Sequence, residues 1–231
     1  MSFDSSGEIA WGGDAPPELP DNRYDSGIDV PHHLDTLPDG SDTLVIGDVE
    51  KRGQDTHLQG DNPFGFRGTC GLVSCEGVLR HFGLNVSEAD IVAHAVMNDQ
   101  CHVGDDPARC GGTSASDQAR ILTDYGVPAH VETASSIEDL AAGLEEGRGV
   151  IIEANAGVLW DQAEYYEQGQ ANHAVVATGV ARDPQTGQIQ GFFINDSGTG
   201  QAGRFVDAAT MEVAWLEAGG VCVVTDAVRI D

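Results

Sequence analysis

From Cys70 the apolar positions Leu72, Val73, Val78, Leu79 and Phe82 recur at near-helical spacing, and Gly83 closes the run. This predicts a helix whose first turn holds Cys70. Ser87 followed three residues later by Asp90 has the form of a capping box, and Ile91, Val92, Ala95 and Val96 continue it as an amphipathic helix to about Met97. A third helix, capped by Ser114 or Ser116, carries Ala119, Ile121 and Leu122 up to Gly126, and a fourth starts at Ser136 in SIEDLAAGLEEG. Elsewhere the period is that of strands. PAHVET (128–133) and GVIIEAN (149–155) read as strands, the second a buried one. NHAVVATGVARD and QIQGFFIND, separated by the turn-forming PQTG, predict an antiparallel hairpin, and GRFV and GGVCVVTD add two strands around a helix beginning near Asp207.

Helices first and a mostly antiparallel sheet afterwards is the α+β pattern, not alternating βαβ units. Upstream, SDTLVIGDV (41–49) has an apolar run suited to an edge strand, and HLQGDNPFGFRGT is a long loop punctuated by Gly and Pro. Residues 1–43 are rich in Asp, Gly, Pro and Ser and lack periodicity, so they read as an acidic flexible or propeptide-like arm with little regular structure. Residues 44–231 are expected to form the folded domain.

The charge narrows the partners. Against 11 Lys and Arg stand 38 Asp and Glu, a formal net charge of −27 over 231 residues, and Lys51 is the single lysine. Such a surface repels nucleic acid and anionic membrane, and no basic stripe offsets it. The apolar stretches fall well short of the roughly 20 residues of a membrane span. The first residues have neither a basic start nor an apolar core, so the expected location is cytoplasmic, or outside the cell by a specialised non-Sec route. The first 60 residues hold thirteen acidic and three basic side chains, a balance of −10 that leaves −17 on the rest. A cleft in that field should favour neutral or basic substrates.

Five cysteines, at 70, 75, 101, 110 and 222, are an odd number, so at least one is a free thiol or pairs between chains. Cys70 in GTCG is the candidate nucleophile. A thiol in the first turn of a helix faces the positive end of the helix dipole and unpaired N–H groups, both of which favour the thiolate. Gly68 and Gly71 would leave room for a substrate carbonyl to approach. His173 opens one strand of the hairpin and Asp196 closes the other, so pairing brings them close, and Asp196 or Asn195 could orient the imidazole toward Cys70. Cys75 lies about 140° around the helix from Cys70 and reads as core, as do Cys222 and Trp215. Cys101 and Cys110 could be free thiols, a disulfide or, with His102, metal ligands, though their spacing matches no recognised zinc pattern. The acidic GDD at 104–106 lacks the alternation of a calcium loop. Trp160, Tyr165 and Tyr166 either line a cleft or pack.

The segments GTCGLVSCEGVLRHFG, GGTSASDQARILTDYGVPA, GVIIEANAGVLW and NHAVVATGVARDPQTGQIQGFFINDSGTGQAGRFV together resemble the papain-like cysteine peptidases of the C39-like group, from about Gln59 to Val224. The resemblance implies a papain-like fold, with the nucleophile helix packed on a mostly antiparallel sheet and 44–231 as its catalytic domain. It also implies Cys70 as nucleophile, His173 as general base and Asp196 as its orienting partner. The group uses a Gln shortly before the nucleophile in its oxyanion hole. Here that close spacing is not met: the nearest amide is Gln59, eleven residues upstream, with Gln54 and Asn62 as further candidates. A loop insertion would let Gln59 fold back, because closure entropy grows slowly with loop length.

The function implied is a thiol-dependent hydrolase of peptide bonds, with no cofactor and no metal. Its partners would be a protein or peptide substrate and, if it resembles papain-fold bacterial toxins or effectors, an inhibitor or immunity protein. The same triad serves glutamine deamidation and acyl transfer, and a degenerate domain of this fold would only bind.

Overall fold

The computed structural model describes residues 30–229. In chain order they form β1 (His32–Thr36), β2 (Asp42–Ile46), α1 (Val49–Gly53), α2 (Cys70–His81), α3 (Glu88–Met97), α4 (Ala115–Asp124), β3 (Ala129–Thr133), α5 (Ile137–Glu145) and β4 (Arg148–Ala154). There follow α6 (Ala156–Trp160), β5 (His173–Arg182), β6 (Ile189–Asp196), β7 (Gln201–Asp207), α7 (Ala208–Met211) and β8 (Val221–Val228). Local chemistry sets the helix starts. Ser87 and Asp90 form the expected reciprocal box before α3, and Ser114, not Ser116, does the same with Asp117 before α4. Before α5 the Asp139 carboxylate accepts the Ser136 amide at 3.0 Å.

All strand pairs are antiparallel, with β5 at the centre. One edge of β5 takes β4 along its first half and β2 along its second, and the other edge takes β6, which pairs on to β7. Every residue of β5 is buried, as its unbroken apolar run requires of a strand covered on both faces. The strand period of two divides the core accordingly. Val150, Ile152, Val175, Ala177, Cys222 and Val224 pack with Leu140 and Leu144 of α5 and with Trp215. Ile151, Ala174, Val176 and Val223 point the other way, onto Leu72 and Leu79 of α2, Ile91 of α3 and Leu122 of α4. Helix α2, which begins at Cys70, thus rests on the middle of the sheet.

Two expectations are corrected near the start. Residues 30–43 are not without regular structure: β1 pairs along its length with β2, and Val30 and Leu37 are buried. Residues 1–29 of the expected arm lie outside the described residues. The run around 42–46 is also not an edge strand, because β1 covers it and takes the edge position. HHLDT shows little alternation because β1 is largely exposed, and its register comes from the apolar β2 beside it. Among the described residues no helix is long and apolar enough to cross a membrane.

Phe192 on β6 is fully buried among the α5-side residues, whereas Val213 is 42% exposed. Phe192→Ala should lower unfolding free energy by about 3–5 kcal/mol, and Val213→Ala by less than about 0.5 kcal/mol, both read from urea denaturation.

Candidate active site

The start of α2 is built by residues remote from it. Thr69 occupies the N-cap position, yet its side chain makes no capping bond to the helix. Its hydroxyl donates instead to Glu88 Oε1 at 2.7 Å. The first-turn N–H groups beside Cys70 therefore lack a side-chain cap and stay available to an anion. Glu88 also accepts from the Gly60 and Asp61 amides and from Asn62 Nδ2 at 2.8–3.0 Å, which ties the loop before α2 to α3. The flanking glycines line the cleft beside Cys70 and are also required by packing. A Cβ on Gly68 would stand 3.0 Å from the Cys110 carbonyl oxygen, and one on Gly71 would stand 2.2 Å from Thr113 Oγ1. Both positions are closed by the segment 110–113.

His173 begins β5, and its Nε2 lies 2.8 Å from Asp196 Oδ1. Asp196 is fully buried and its charge is matched on every side. Oδ1 also accepts the Gly198 amide at 2.9 Å, Oδ2 accepts Trp160 Nε1 at 2.7 Å, and Arg204 stands 3.9 Å away. Burial alone would raise the Asp196 carboxyl, but its bonds to His173, Trp160 and Gly198 hold it below the usual carboxylate range. Burial likewise disfavours the His173 imidazolium, and the hydrogen bonds to Asp196 and Cys70 outweigh it, lifting its pKa to about 9. With Nε2 held by Asp196, Nδ1 is the nitrogen left for Cys70. The Trp160 ring covers the imidazole at a centroid distance of 5.0 Å. Gly198 is required here, because a Cβ would meet Trp160 at 2.7 Å and His173 at 3.0 Å.

Cys70, His173 and Gln59 line one cleft of about 430 Å³, with Asp196 behind the imidazole. The long loop does fold back: the Gln59 amide N–H donates to the Ser197 carbonyl at 2.9 Å. Gln59 Oε1 accepts Ser197 Oγ at 3.2 Å, and its Nε2 donates one hydrogen to the Arg67 carbonyl at 2.5 Å, leaving the other. Asn62 is engaged within its loop, with Phe66 and Glu88. Asn195 binds Arg52 and Gly203 backbone, so Asp196 alone of the two meets the imidazole. Trp160 and Tyr165 line the cleft, and both tyrosines, Tyr165 and Tyr166, are exposed.

The other cysteines are differently placed. Cys75 is buried and burial pushes its thiol up, and Cys222, raised to about 12 by burial and by Glu132 and Asp139, borders a separate cavity between β3, β8 and α5. All five thiols are unpaired, Cys101 and Cys110 included. Cys110 Sγ accepts the Gly104 amide at 3.1 Å and donates to the Asp106 carbonyl at 3.2 Å, so it organises the GDD loop. Among the described residues no group of three or more His, Cys, Asp or Glu side chains is placed to hold a metal ion.

Residues 46–223, more than three quarters of the chain, match the model of the Peptidase_C39 like family. The chain belongs to this family. A structure described as a C39-like peptidase from Bacillus anthracis superposes with a TM-score of 0.51 at 18% identity, covering 74% of this chain and 98% of that one. The α+β fold of this family member is thus papain-like. A double glycine motif protease from an AMS/PCAT transporter, solved with its leader peptide, gives a TM-score of 0.45 at 18% identity over 69% of this chain and 86% of that one. Uncharacterized proteins of Mycobacterium tuberculosis and Mycobacterium bovis are 36% identical over 101 residues, 38% of this chain. The match spans 41% of the length of those curated relatives.

Glu88, Trp160 as a partner of Asp196, and Gly198 were not legible as site residues in this C39-like chain. Glu88 reads as an ordinary first-turn helix acid, and Trp160 and Gly198 act through contacts with no local signature. Glu153 did leave a signal, a carboxylate inside the buried-strand run GVIIEAN.

The His173 shift has a stability consequence of definite sign. Its folded pKa is about 9 against an ordinary 6.5, so its contribution is full below about pH 6.5 and is lost as pH rises through about 9. Asp196→Asn should bring the His173 titration, followed by NMR of labelled histidine, well below 9 and flatten the loss of unfolding free energy across that window.

Proposed function

We propose that this chain is a cysteine peptidase that hydrolyses peptide bonds through Cys70, His173 and Asp196. The observation that carries the reading is the His173 ring, bound through Nε2 to buried Asp196 at 2.8 Å with its other nitrogen left for Cys70 in the same cleft. An imidazole whose pKa lies near 9 rests protonated at neutral pH and so sets a positive charge and a proton donor in the cleft with Cys70. The Cys70 sulfur attacks the substrate carbonyl carbon. The resulting oxyanion is received by the uncapped N–H groups at the start of α2 and by the remaining Nε2 hydrogen of Gln59. His173 Nδ1 gives its proton to the leaving amine, the C–N bond breaks, and an acyl-thioester remains on Cys70. Water then attacks the thioester with His173 taking its proton, which releases the acid and restores the thiolate. Asp196 holds the ring orientation throughout, and the Trp160 ring and indole N–H keep Asp196 and the imidazole away from bulk water.

Peptide libraries read by mass spectrometry for new termini test this. Cys70→Ala should abolish cleavage, His173→Ala should lower kcat by about 10²–10⁴, and Gln59→Ala should lower it by about 10²–10³ with a smaller change in KM. Unchanged cleavage by the Cys70→Ala protein would refute the reading. Loss of ammonia from glutamine side chains without new termini would replace peptide hydrolysis by deamidation at the same thiol.

A further inference from the structure

Glu153 sits on the face of β4 that looks toward α2 and α4, sharing it with Ile151, and its side chain lines the same cleft as Cys70. A half-buried carboxylate needs partners. Gln118 of α4 supplies one, donating from Nε2 to Glu153 Oε1 at 2.6 Å and also lying 3.2 Å from Thr113 Oγ1. Burial raises the Glu153 carboxyl despite that bond and the charge of His173. Gln118 is fully buried, lines the cleft, and its Oε1 has no hydrogen-bond partner. The result is a carboxylate in the cleft wall, held by a buried amide. Their distance from the chemistry is short, because Gln118 Nε2 would be 2.6 Å from a Cβ on Gly71, the residue after Cys70. At the exposed rim Arg109 and Glu167 carry opposite charges.

We propose that Glu153 and Gln118 form a subsite for a cationic group of the substrate within a residue or two of the scissile bond. The cation is either a lysine or arginine side chain or the free N-terminal ammonium of a short peptide. A cation neutralises Glu153 where burial disfavours its charge. Glu and Asp side chains are repelled at the same position. The inference rests on the peptidase reading of Cys70 for its place in a reaction, and it extends that reading to a substrate class.

Peptidyl vinyl sulfones, which alkylate a reactive thiolate, test it on the full chain. Four otherwise identical probes carry N-acetyl-lysine, N-acetyl-norleucine, N-acetyl-glutamate or free-amino norleucine next to the reactive carbon, with a second set shifted by one residue. Labelling of Cys70 is followed by mass spectrometry. In the wild-type protein one cationic probe of the eight should react about tenfold or more faster than its norleucine counterpart, and the position and type of that probe separate side chain from N-terminus. In Glu153→Gln the ratio should fall to below about twofold. Cys70 labelling with no cationic preference in wild type, or a ratio retained in Glu153→Gln, overturns the subsite while leaving the thiol reading intact. A second measurement needs no thiol chemistry: calorimetric binding of the lysyl and norleucyl peptides to Cys70→Ala, alone and combined with Glu153→Gln. If no probe labels Cys70 but the Cys70→Ala protein binds the cationic peptide about tenfold tighter, and that difference vanishes with Glu153→Gln, the subsite stands and the peptidase reading falls. Equal binding of the two peptides there overturns the subsite.

Discussion

The site depends first on where one hydroxyl goes. Thr69 is the residue that would ordinarily cap the helix carrying Cys70, and the buried Glu88 carboxylate takes its hydroxyl away. A buried carboxylate is costly unless its oxygens are filled with donors. Glu88 fills them with Thr69, two consecutive backbone amides and the Asn62 side chain. The same bonds do two things. They leave the N-terminal N–H groups of α2 free of an internal acceptor, and they pin the loop 60–62 immediately after Gln59. The helix end is therefore open to an anion, and the amide expected to share that anion is attached to a fixed loop.

The second constraint is dryness around Asp196. A carboxylate with no exposure holds its charge only because the His173 ring, the Trp160 indole and the Gly198 amide all face it. Each of these partners belongs to a different local structure: the start of β5, the end of α6 and the turn after β6. The site is thus assembled by tertiary packing of elements whose own folding is local. Gly198 shows how tight that packing is, since any side chain there would displace the imidazole or the indole. Gln59 is bonded to Ser197, between Asp196 and Gly198, so the turn after β6 joins the histidine side of the cleft to the loop side.

This explains what could be read in advance. The helices of α2 to α5 and the β5–β6 hairpin follow from periodicity and capping residues that act within a few positions, and both were legible. So was the meeting of His173 and Asp196, because hairpin register places Val176 opposite Asn195 and carries the next residues into reach. The β1 strand was not legible, because HHLDT is largely exposed and takes its conformation from β2. The glycines around Cys70 were legible as special, but the packing that also requires them was not. Their neighbours, Cys110 and Thr113, lie some forty residues on, and no local pattern announces that they pack against the α2 start. Glu88 was hidden for the same reason.

Charge is where sequence and geometry meet most closely. A chain of net −27 would be expected to keep carboxylates at its surface, where they are solvated. Instead Glu88, Glu153 and Asp196 are drawn inward around one thiol. They are not equivalent. Glu88 and Asp196 are saturated with donors and act as fixed anchors, whereas Glu153 has the Gln118 amide and a cleft beside it. Its charge faces the His173 imidazolium, and, after burial as the larger cause, it helps push the Cys75 thiol up. Of the two acidic side chains that border the cleft, Glu167 lies at the exposed rim and Glu153 in the wall, so the general acidity of the chain becomes specific at Glu153.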